Sequence, residues 1–572
     1  MTVTPLDFTE FPDFAALTKL LREWAAACPD LATLESVGSS WEGRDVWLLT
    51  LTNRNTGPDN EKPGFFIEAG IHATEWTGGF AALHLVNQLL MRYGVDERVS
   101  RLLDTRTIYV LPRLGPDGYE RTRAEGRFIR STVRPHPADR PGHGLRLCDV
   151  DGDGRTLFMR VPDPEGPWKK CEREPRLLVR REPDEVGGDY FRLFQEGVIE
   201  GYAGDDVVPV ADPVEGIDLG QNLPTDWAAA PRTPDNAGPF PGSEPETQAV
   251  LHAVVGRKNI CGYVTCHTFG ALHLRPPLNR ADDFPYVDQR VYDVFGQKAE
   301  ELTGYEVMSF HDLKHDPDLE FRGGQLGWYY HQLGLFAWIT EFWNPKRAAG
   351  ITTRGNSGWL GDPPLADALK LIEWSDTELD GRGYVDWYPF DHPQLGPVEL
   401  GGWDMINYWY NPPLDRIEAE VAPHTEWIIF QALASPLLRI RSIRAEEIRT
   451  GVHRVRAVVA NVGWLPTYVT QKALDRGLVR ELTAEIQLPR GSRLVTGERE
   501  VRLGQLEGRT GARSTTTWWG HQPGTPDLAA VEWVVEAPRG TAVTVRAAHQ
   551  RAGVAQAEVR LGGSEDGVLV TE

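Results

Sequence analysis

The segment GIHATEW (70–76) places a histidine and a glutamate, His72 and Glu75, directly after an apolar run typical of a buried strand. Loops at the carboxyl edge of α/β sheets commonly present ligand-binding side chains. An H-x-x-E pair can converge on one metal ion, and a histidine from a neighbouring strand would complete a His₂Glu set that leaves one coordination position for water. Such pairs are also common by chance, so by itself this pair is more often a set of ordinary polar residues.

Two further ionisable residues end apolar runs. His267 follows CGYVTC (261–266), and Glu341 lies within ITEFW (339–343). An ionisable group in such a place is costly unless it is paired or functional. A satisfied core histidine and a glutamate buried against an arginine are the structural alternatives.

The elements that must position these residues alternate between helical and extended patterns. Helical spacing is found in FAALTKLLREWAAACPDL (14–31), GGFAALHLVNQLLMRYG (78–94) and GGQLGWYYHQLG (323–334). Runs rich in β-branched and aromatic residues are VWLLTLTN (46–53), PGFFIEAGIH (63–72), TIYVLPRL (107–114), CGYVTCHTF (261–269) and LFAWITEFW (335–343). This alternation predicts an α/β fold, a mixed central sheet with helices on both faces.

The 572 residues exceed the roughly 250–300 that one hydrophobic core accommodates, so at least two domains are expected. From about residue 436 the pattern changes to short alternating strands with Gly and Pro turns, which predicts a C-terminal all-β sandwich over 436–572. The catalytic part would be residues 1–435. A polar, Pro- and Gly-rich stretch at about 135–215 is predicted to be an insertion that folds as hairpins over one face.

Composition narrows the possible partners and locations. The formal net charge of −22 and isoelectric point of about 5.2 argue against nucleic acid as a partner. No run reaches the ~18 apolar residues of a membrane span, so no membrane association is expected. The N-terminal MTVTPLDFTEFPDF lacks a signal-peptide pattern and the five cysteines are scattered, so a cytoplasmic location is expected. Composition leaves the oligomeric state open.

Several motifs occur together in one order. They are EGRDVWLLTLTN (42–53), GIHATEW (70–76), LPRLGPDGYE (111–120), GIDLGQNLPTDW (216–227), GPFPGSEPETQA (238–249), CHTFGALHLRPP (266–277) and ITEFW (339–343). This series resembles the M14 zinc carboxypeptidases, the carboxypeptidase A family, over about residues 14–345 less the insertion. The resemblance implies a zinc-carboxypeptidase-like sheet, one zinc ion per chain and a peptide or peptide-like substrate.

The resemblance also implies roles for individual residues. His72, Glu75 and His267 match the three zinc ligands. Asp218 matches the carboxylate that hydrogen-bonds the first ligand histidine and so fixes its tautomer. Glu341 matches the general base, which would take a proton from water and hand it to the leaving amine.

The segment RFIRS (127–131) resembles the R-x-x-R segment of the family. Arg130 would stabilise the oxyanion of the tetrahedral intermediate, and Arg127 would lie on the substrate side. An arginine on the solvated surface is the alternative for Arg130. The neighbouring Gln221 and Asn222 are further candidates for substrate binding.

The sequence departs from the exopeptidase pattern where the substrate's terminal carboxylate would bind. The family pattern D-x-N-R-N is here Asp218-Leu219-Gly220-Gln221-Asn222. Gln221 cannot form the bidentate, charge-assisted pair that arginine makes with a carboxylate, an interaction worth roughly 1.5–3 kcal/mol. Arg275 and Arg322 are possible substitutes.

A second departure concerns the mobile tyrosine of the family, whose position is occupied by Leu319. Tyr329 and Tyr330 lie on the following predicted helix, where an aromatic side chain usually packs in the core.

The insertion contains DVDGDG, in which Asp149, Asp151 and Asp153 have the alternating spacing of a Ca²⁺ loop. Position twelve of such a loop is normally glutamate, but here it is Arg160. The same residues also fit a tight turn rich in Asp and Gly. Calcium is therefore a possible second cofactor beside zinc.

The sequence thus predicts zinc-dependent hydrolysis of peptide amide bonds. One alternative is a zinc amidase or endo-acting peptidase that does not read a free C-terminal carboxylate, which Gly220 and Gln221 favour. The other is a non-catalytic binding protein on the same fold.

Overall fold

A computed structural model describes residues 3–135, 143–204, 207–211, 215–228, 237–279, 282–313, 322–352, 359, 361–512, 524–562 and 568–569. Its α-helices are α1 (Phe14–Ala27), α2 (Trp76–Arg92), α3 (Glu97–Thr105), α4 (Pro116–Glu125), α5 (Pro245–Gly256), α6 (Tyr286–Thr303), α7 (Phe310–Leu313), α8 (Pro345–Ala348), α9 (Leu365–Glu378), α10 (Leu414–Ala434) and α11 (Gln471–Asp475). Six-residue π-helices occupy Gly327–Gln332 and Met405–Tyr410.

The strands extend over the whole chain. The first part contains β1 (Ala32–Ser39), β2 (Asp45–Leu51), β3 (Gly64–Ala69), β4 (Thr107–Leu111), β5 (Gly144–Leu147), β6 (Phe158–Pro162), β7 (Trp168–Lys170), β8 (Leu178–Arg180), β9 (Tyr190–Gln195) and β10 (Gly197–Glu200). The middle contains β11 (Ile260–Thr268), β12 (Leu272–Arg275), β13 (Glu306–Ser309), β14 (Phe336–Phe342), β15 (Tyr384–His392) and β16 (Gly396–Trp403). The last part contains β17 (Leu438–Arg449), β18 (Val452–Asn461), β19 (Leu482–Gln487), β20 (Arg493–Thr496), β21 (Glu500–Gly504), β22 (Leu528–Glu536), β23 (Ala542–His549), β24 (Gly553–Arg560) and β25 (Val568–Leu569).

The central sheet has eight strands in the order β1-β2-β4-β3-β11-β14-β12-β13. It is mixed, because β3 pairs in parallel with β4 and β11, and β11 pairs in parallel with β14. Strand β2 pairs antiparallel with β1 and β4, whereas β12 pairs antiparallel with β14 and in parallel with β13. Every residue of β3, β4 and β11 is buried, as expected for strands covered by helices. The predicted mixed α/β fold is confirmed.

Strand register brings the chemistry-bearing residues to one edge of this sheet. In β11, Cys266 lies opposite Ala69, the last residue of β3. The next residue of β11, His267, lies opposite Glu341 in β14. The chain leaves β3 through the loop that carries His72 and Glu75 and enters α2 at Trp76. Three segments far apart in sequence therefore meet at the carboxyl ends of adjacent parallel strands.

The inserted region pairs with a later part of the chain. Strands β6 to β9 join β15 and β16 in a six-stranded sheet of order β15-β16-β6-β9-β7-β8, with Met159 opposite Leu400. The sequence predicted hairpins here but gave no sign of this partner. Pairing between segments over 200 residues apart leaves no trace in local periodicity, which explains the omission.

The last part of the chain forms two antiparallel sheets, of order β20-β22-β18-β17-β25 and β21-β19-β23-β24. Their shared core is separate from that of the central sheet and includes Val455, Trp533 and Val545. The predicted all-β C-terminal part is confirmed. The predicted boundary at about residue 435 falls in the short connection between α10 and β17. Among the described residues, no helix combines the length and apolar character needed to span a bilayer.

Helix α2 packs tightly against β11 at Gly78, where a Cβ atom would lie 2.4 Å from the Cys266 carbonyl oxygen. We expect Gly78→Ala to push α2 away from β11, separate Glu75 from His267, and cost about 1–3 kcal/mol of stability. Calorimetric unfolding and zinc titration would measure both effects. The control is Gly79→Ala on the same helix, where the nearest atom would be 3.5 Å away. It should be neutral or stabilising because alanine favours helix, and equal behaviour of the two variants would contradict the packing argument.

Candidate active site

Three buried side chains converge at the carboxyl edge of the central sheet. His72 Nδ1 lies 2.7 Å from Glu75 Oε1, and His267 Nδ1 lies 3.0 Å from Glu75 Oε2. The two Nδ1 atoms are 3.1 Å apart. The ligand atoms of these residues therefore face one common point, as the atoms of a metal site must.

Hydrogen bonds on the far side of each imidazole fix its orientation. His72 Nε2 lies 3.2 Å from Asp218 Oδ1, and His267 Nε2 lies 3.0 Å from Thr265 Oγ1. With Nε2–H donating in each case, Nδ1 keeps its lone pair for a cation. Both ligand histidines are thus held in the tautomer that binds metal.

The charges at this point suit a divalent cation. Burial lowers the pKa of His72, but the carboxylates of Glu75 and Asp218 outweigh it and raise that pKa to about 9. Burial also opposes ionisation of Glu75, yet His72 and His267 hold its pKa well below the usual range. Two imidazoles and one carboxylate in a closed arrangement form a donor set that zinc favours. The residues present therefore fit a catalytic zinc ion.

Glu341 completes the group from the neighbouring strand. It lies opposite His267 in the register of β11 and β14, and it lines the same pocket as both ligand histidines. Burial raises the pKa of Glu341 to about 7, partly offset by the nearby His267. A carboxylate beside a metal group, with a pKa near neutrality, can accept and return a proton.

Arg130 lines the pocket on the side of Asp218. Its Nε and one terminal nitrogen each lie 3.1 Å from Asp218 Oδ2, and its other terminal nitrogen lies 3.8 Å from Glu75 Oε1. This double contact holds the guanidinium next to the metal group, where developing negative charge could be stabilised. The sequence-predicted position of Arg130 is therefore compatible with its predicted role.

The loop after Asp218 carries two of the predicted substrate-binding residues, Gln221 and Asn222. Gln221 lines the pocket and donates to Asp218 Oδ2 at 3.1 Å. Asn222 is fully buried, and its amide donates to the Ala237 and Phe240 carbonyls and to Ser243 Oγ. These hydrogen bonds hold the loop, and contact between Asn222 and the substrate stays a prediction.

Arg127 also lies away from the pocket. Its guanidinium forms ion pairs of 2.5 Å with Glu125 and with Glu215. It is not among the described residues that line the pocket. Both carboxylates engage the guanidinium, and the substrate-binding role of Arg127 stays a prediction.

The remaining candidates from the sequence differ in whether they line the pocket. Arg322 lines the pocket, whereas Arg275 contacts the Pro276 carbonyl and Asp293. Tyr329 and Tyr330 are fully buried core residues, as their helical spacing suggested. Leu319 lies outside the described residues.

Thr265 and Gln325 are positioning residues that the sequence analysis missed. Gln325 lines the pocket, and its Nε2 lies 3.1 Å from Thr265 Oγ1 and 3.0 Å from the Tyr263 hydroxyl. Behind them Tyr329 donates to the fully buried Glu68, whose pKa burial raises to about 7. Thr265 could have been found, because residues i and i+2 of a strand share a face. Gln325 gave no such signal.

The acidic loop of the insertion does bring its three carboxylates together, with one oxygen of each of Asp149, Asp151 and Asp153 within 4.8 Å of the others. Both oxygens of Asp149 accept backbone N–H groups of the same loop, and Asp153 pairs with Arg155. These contacts are also those of a tight turn. Calcium binding stays a prediction.

Comparison with known proteins agrees with this geometry. The sequence model of the zinc carboxypeptidases matches residues 17–353, more than half of the chain. The chain belongs to this family of zinc metallopeptidases. A model of a domain of unknown function matches residues 437–560.

Individual relatives match over shorter stretches. The chain is 38% identical to zinc carboxypeptidase A 1 of Drosophila melanogaster over 117 residues, covering 20% of this chain and 27% of the relative. It is 33% identical to carboxypeptidase B of Astacus astacus over 127 residues, covering 22% and 40%. It is 38% identical to carboxypeptidase A2 of Rattus norvegicus over 159 residues, covering 26% and 36%. The matches therefore span well under half the length of these relatives.

Solved structures resemble the chain distantly. Carboxypeptidase A from Helicoverpa armigera has 19% identity and a TM-score of 0.39, covering 67% of this chain and 75% of its own. Murein-tripeptide amidase from Escherichia coli O157 has 14% identity and a TM-score of 0.24, covering 60% and 89%.

Thr265→Val should weaken zinc binding about 10- to 100-fold, because His267 would lose the acceptor that fixes its tautomer. The control is Thr340→Val, which removes a similar bond of 3.1 Å to the buried His273, a residue outside the metal group. Competition with a chromogenic chelator would measure affinity in both variants. Equal zinc affinities in the two proteins would contradict the assignment of Thr265 as a positioning residue.

Proposed function

We propose that this chain hydrolyses peptide amide bonds in the manner of a carboxypeptidase, using one zinc ion bound by His72, Glu75 and His267. The observation that carries the proposal is that one pocket is lined by both ligand histidines and by a separate, half-buried carboxylate, Glu341. A peptide or peptide-like substrate follows from the family membership.

Each residue has a task in this reaction. A zinc ion at the ligand group would polarise the substrate carbonyl and lower the pKa of a water molecule. Glu341 accepts a proton from that water and later donates it to the leaving nitrogen. Arg130, held by Asp218, donates hydrogen bonds to the oxygen that gains negative charge.

A second candidate keeps the chemistry and changes the substrate. Gly220 offers no side chain to the pocket and Gln221 is neutral, which favours an amidase or endo-acting peptidase that does not read a free C-terminus. A non-catalytic binding protein would not need a general base, so the position of Glu341 beside the metal ligands favours an enzyme. Hydrolysis of matched peptides with free and blocked C-termini separates these possibilities. If zinc-loaded protein leaves both kinds intact, the binding protein becomes the better description.

Glu341→Gln should lower kcat about 10²- to 10⁴-fold, the usual contribution of a general base, while zinc still binds at one equivalent. Peptide hydrolysis and metal analysis would be measured on the same preparation. Glu246→Gln is the matched control, because burial raises the pKa of Glu246 to about 7 as it does for Glu341, but Glu246 is not among the described residues that line the pocket. A Glu341→Gln protein with more than a tenth of normal activity would exclude Glu341 as the base.

Removal of zinc with 1,10-phenanthroline should abolish hydrolysis, and one equivalent of zinc per chain should restore it. The reason is that Glu341 and Arg130, which line the pocket, cannot replace the metal. Without zinc, neither the lowered pKa of water nor the polarised carbonyl that hydrolysis needs would be supplied. Full activity in protein shown to contain less than 0.05 equivalents of metal, a threshold of roughly one site in twenty, would refute the mechanism.

A further inference from the structure

A further buried carboxyl lies inside the central sheet, close to the metal group. Glu68 of β3 is 2% exposed, and it is not among the described residues that line the pocket. Burial raises its pKa to about 7, and hydrogen bonds from Tyr329, Gln325 and Tyr263 partly offset this shift. These three partners are neutral, so none of them supplies the positive charge that a buried carboxylate normally requires. A titratable group in this position indicates a role beyond packing.

A chain of hydrogen bonds joins Glu68 to a ligand histidine. In the register of β3 and β11, Glu68 lies opposite Thr265. Gln325 Nε2 bridges them, 3.4 Å from Glu68 Oε1 and 3.1 Å from Thr265 Oγ1. The Tyr263 hydroxyl also hydrogen-bonds both Glu68 and Thr265. Because Thr265 Oγ1 lies 3.0 Å from His267 Nε2, the chain reaches the metal group.

The protonation state of Glu68 sets the direction of the hydrogen bonds along this chain. An ionised carboxyl only accepts hydrogen bonds, whereas a protonated one also donates. With Glu68 ionised, the Tyr263 hydroxyl donates to Glu68 and the Thr265 hydroxyl donates to Tyr263. Thr265 Oγ1 then accepts from His267 Nε2–H, which leaves Nδ1 free for the metal.

A protonated Glu68 permits the opposite direction. Its O–H donates to Tyr263, and both hydroxyls of the chain can turn toward His267. Thr265 then donates to His267 Nε2, so the imidazole proton occupies Nδ1, the atom that faces the metal position. The ionised form of Glu68 therefore favours metal binding and the protonated form opposes it.

Glu68 is the member of this chain that changes charge near neutral pH. Burial raises the pKa of both phenols, Tyr263 and Tyr329, well above the ordinary value. Burial also raises the pKa of the Cys266 thiol, to about 12. Among the described residues, these three are the titratable groups whose ionisation interacts with that of Glu68. Glu341 has a pKa raised to about 7 by burial as well, but it lines the pocket, so an experiment must separate the two carboxyls.

We propose that Glu68 is a positioning residue whose ionised carboxyl holds His267 in the metal-binding tautomer. The connection runs through the hydroxyls of Tyr263 and Thr265. When zinc binds, a protonated Glu68 releases its proton to the solvent. This inference rests on the proposed function, because it requires the zinc site.

The linkage between zinc and the Glu68 proton is reciprocal. Zinc lowers the pKa of Glu68 by the same factor by which ionised Glu68 strengthens zinc binding. The contribution of Glu68 to zinc affinity is complete above the pKa of the zinc-free protein, about 7. It is lost as the pH falls through the lower pKa of the zinc-bound protein.

The test counts the protons released when zinc binds. Zinc is titrated calorimetrically at about pH 5.5, 7 and 8.5, values that bracket the ionisation of Glu68. Each titration is repeated in two buffers of different ionisation enthalpy, PIPES and ACES, and the difference gives the proton count. The parent protein is Glu341→Gln, which removes the pocket carboxyl that titrates in the same range.

Four variants of this parent are compared. Glu68→Gln resembles the protonated form at every pH, because an amide both donates and accepts. Tyr263→Phe interrupts the chain and leaves Glu68 in place. Tyr329→Phe is its matched control, since it removes the other phenol that hydrogen-bonds Glu68 but lies outside the chain to His267. Glu246→Gln controls for the loss of a carboxyl whose pKa burial raises to about 7 and which is not among the described residues that line the pocket.

At about pH 7, Glu68→Gln should release about 0.4 fewer protons per zinc than the parent, the value for a pKa that falls from 7 by about one unit. Its zinc affinity should be about tenfold lower than that of the parent at about pH 8.5. The two affinities should converge near pH 5.5, roughly where the parent also carries a protonated Glu68. Tyr263→Phe should flatten the pH dependence in the same way, whereas Tyr329→Phe and Glu246→Gln should keep it.

The inference fails if Glu68→Gln releases as many protons as the parent, or if its zinc affinity is lower by one constant factor at every pH. Either result would leave Glu68 a purely structural contact between β3 and the π-helix. If Glu68→Gln does not fold, an unchanged pH dependence in Tyr263→Phe overturns the inference.

Hydrolysis by the unsubstituted enzyme is measured separately, so the proposed function would survive these failures. Conversely, zinc binding linked to the Glu68 proton in a protein that hydrolyses neither free nor blocked peptides would refute the proposed function and retain the role of Glu68. A protein that binds no zinc would refute both.

Discussion

The organisation of this protein depends on burying a carboxylate and two imidazoles around one point at the edge of a sheet. Glu75 is almost fully buried, and an isolated ionised carboxylate in such surroundings would be strongly unfavourable. The Nδ1 atoms of His72 and His267 lie 2.7 and 3.0 Å from its oxygens, and a divalent cation bound by these atoms would offset that cost. The remainder of the central sheet supplies the rigidity that keeps these three groups together.

That rigidity comes from strands, whereas part of the pocket lining comes from loops. His267 and Glu341 project from paired positions of β11 and β14, so their separation is set by strand register. Gln221 and Arg322 come from loops that touch each other through Gly323. Loops tolerate changes that strands do not. A site built in this way can keep its metal group while the residues of the surrounding loops change.

The C-terminal β part hydrogen-bonds segments that adjoin the pocket lining. Tyr330 of the π-helix donates to Asp288, and Asp288 also accepts the backbone N–H groups of Gln471 and Lys472. The buried Arg551 donates to the carbonyls of Leu333 and Gly334, just before β14 begins. These contacts fix the segment between the pocket wall and the strand that carries Glu341. The C-terminal part thus acts as a structural partner of the central sheet.

The predictions from sequence succeeded where local pattern and motif order were sufficient. Alternating apolar runs indicated the mixed sheet and the C-terminal β strands, because burial on one or both faces imposes a period on the sequence. The ordered motifs gave the family, and with it the candidates His72, Glu75, His267 and Glu341. The structure then brought these four together.

The tertiary structure alone decided which polar side chains face the pocket. Asn222 and Arg127 have plausible residue types, and in the fold buried carbonyls and two glutamates engage their side chains. Thr265 hydrogen-bonds the ligand histidine His267, and Gln325 hydrogen-bonds Thr265. Arg322 lines the pocket next to Gly323, where two loops are in close contact. Strand periodicity is a property of neighbouring residues and can be read from the chain. The direction of a side chain depends on partners that are distant in sequence, and only folding brings them within hydrogen-bonding distance.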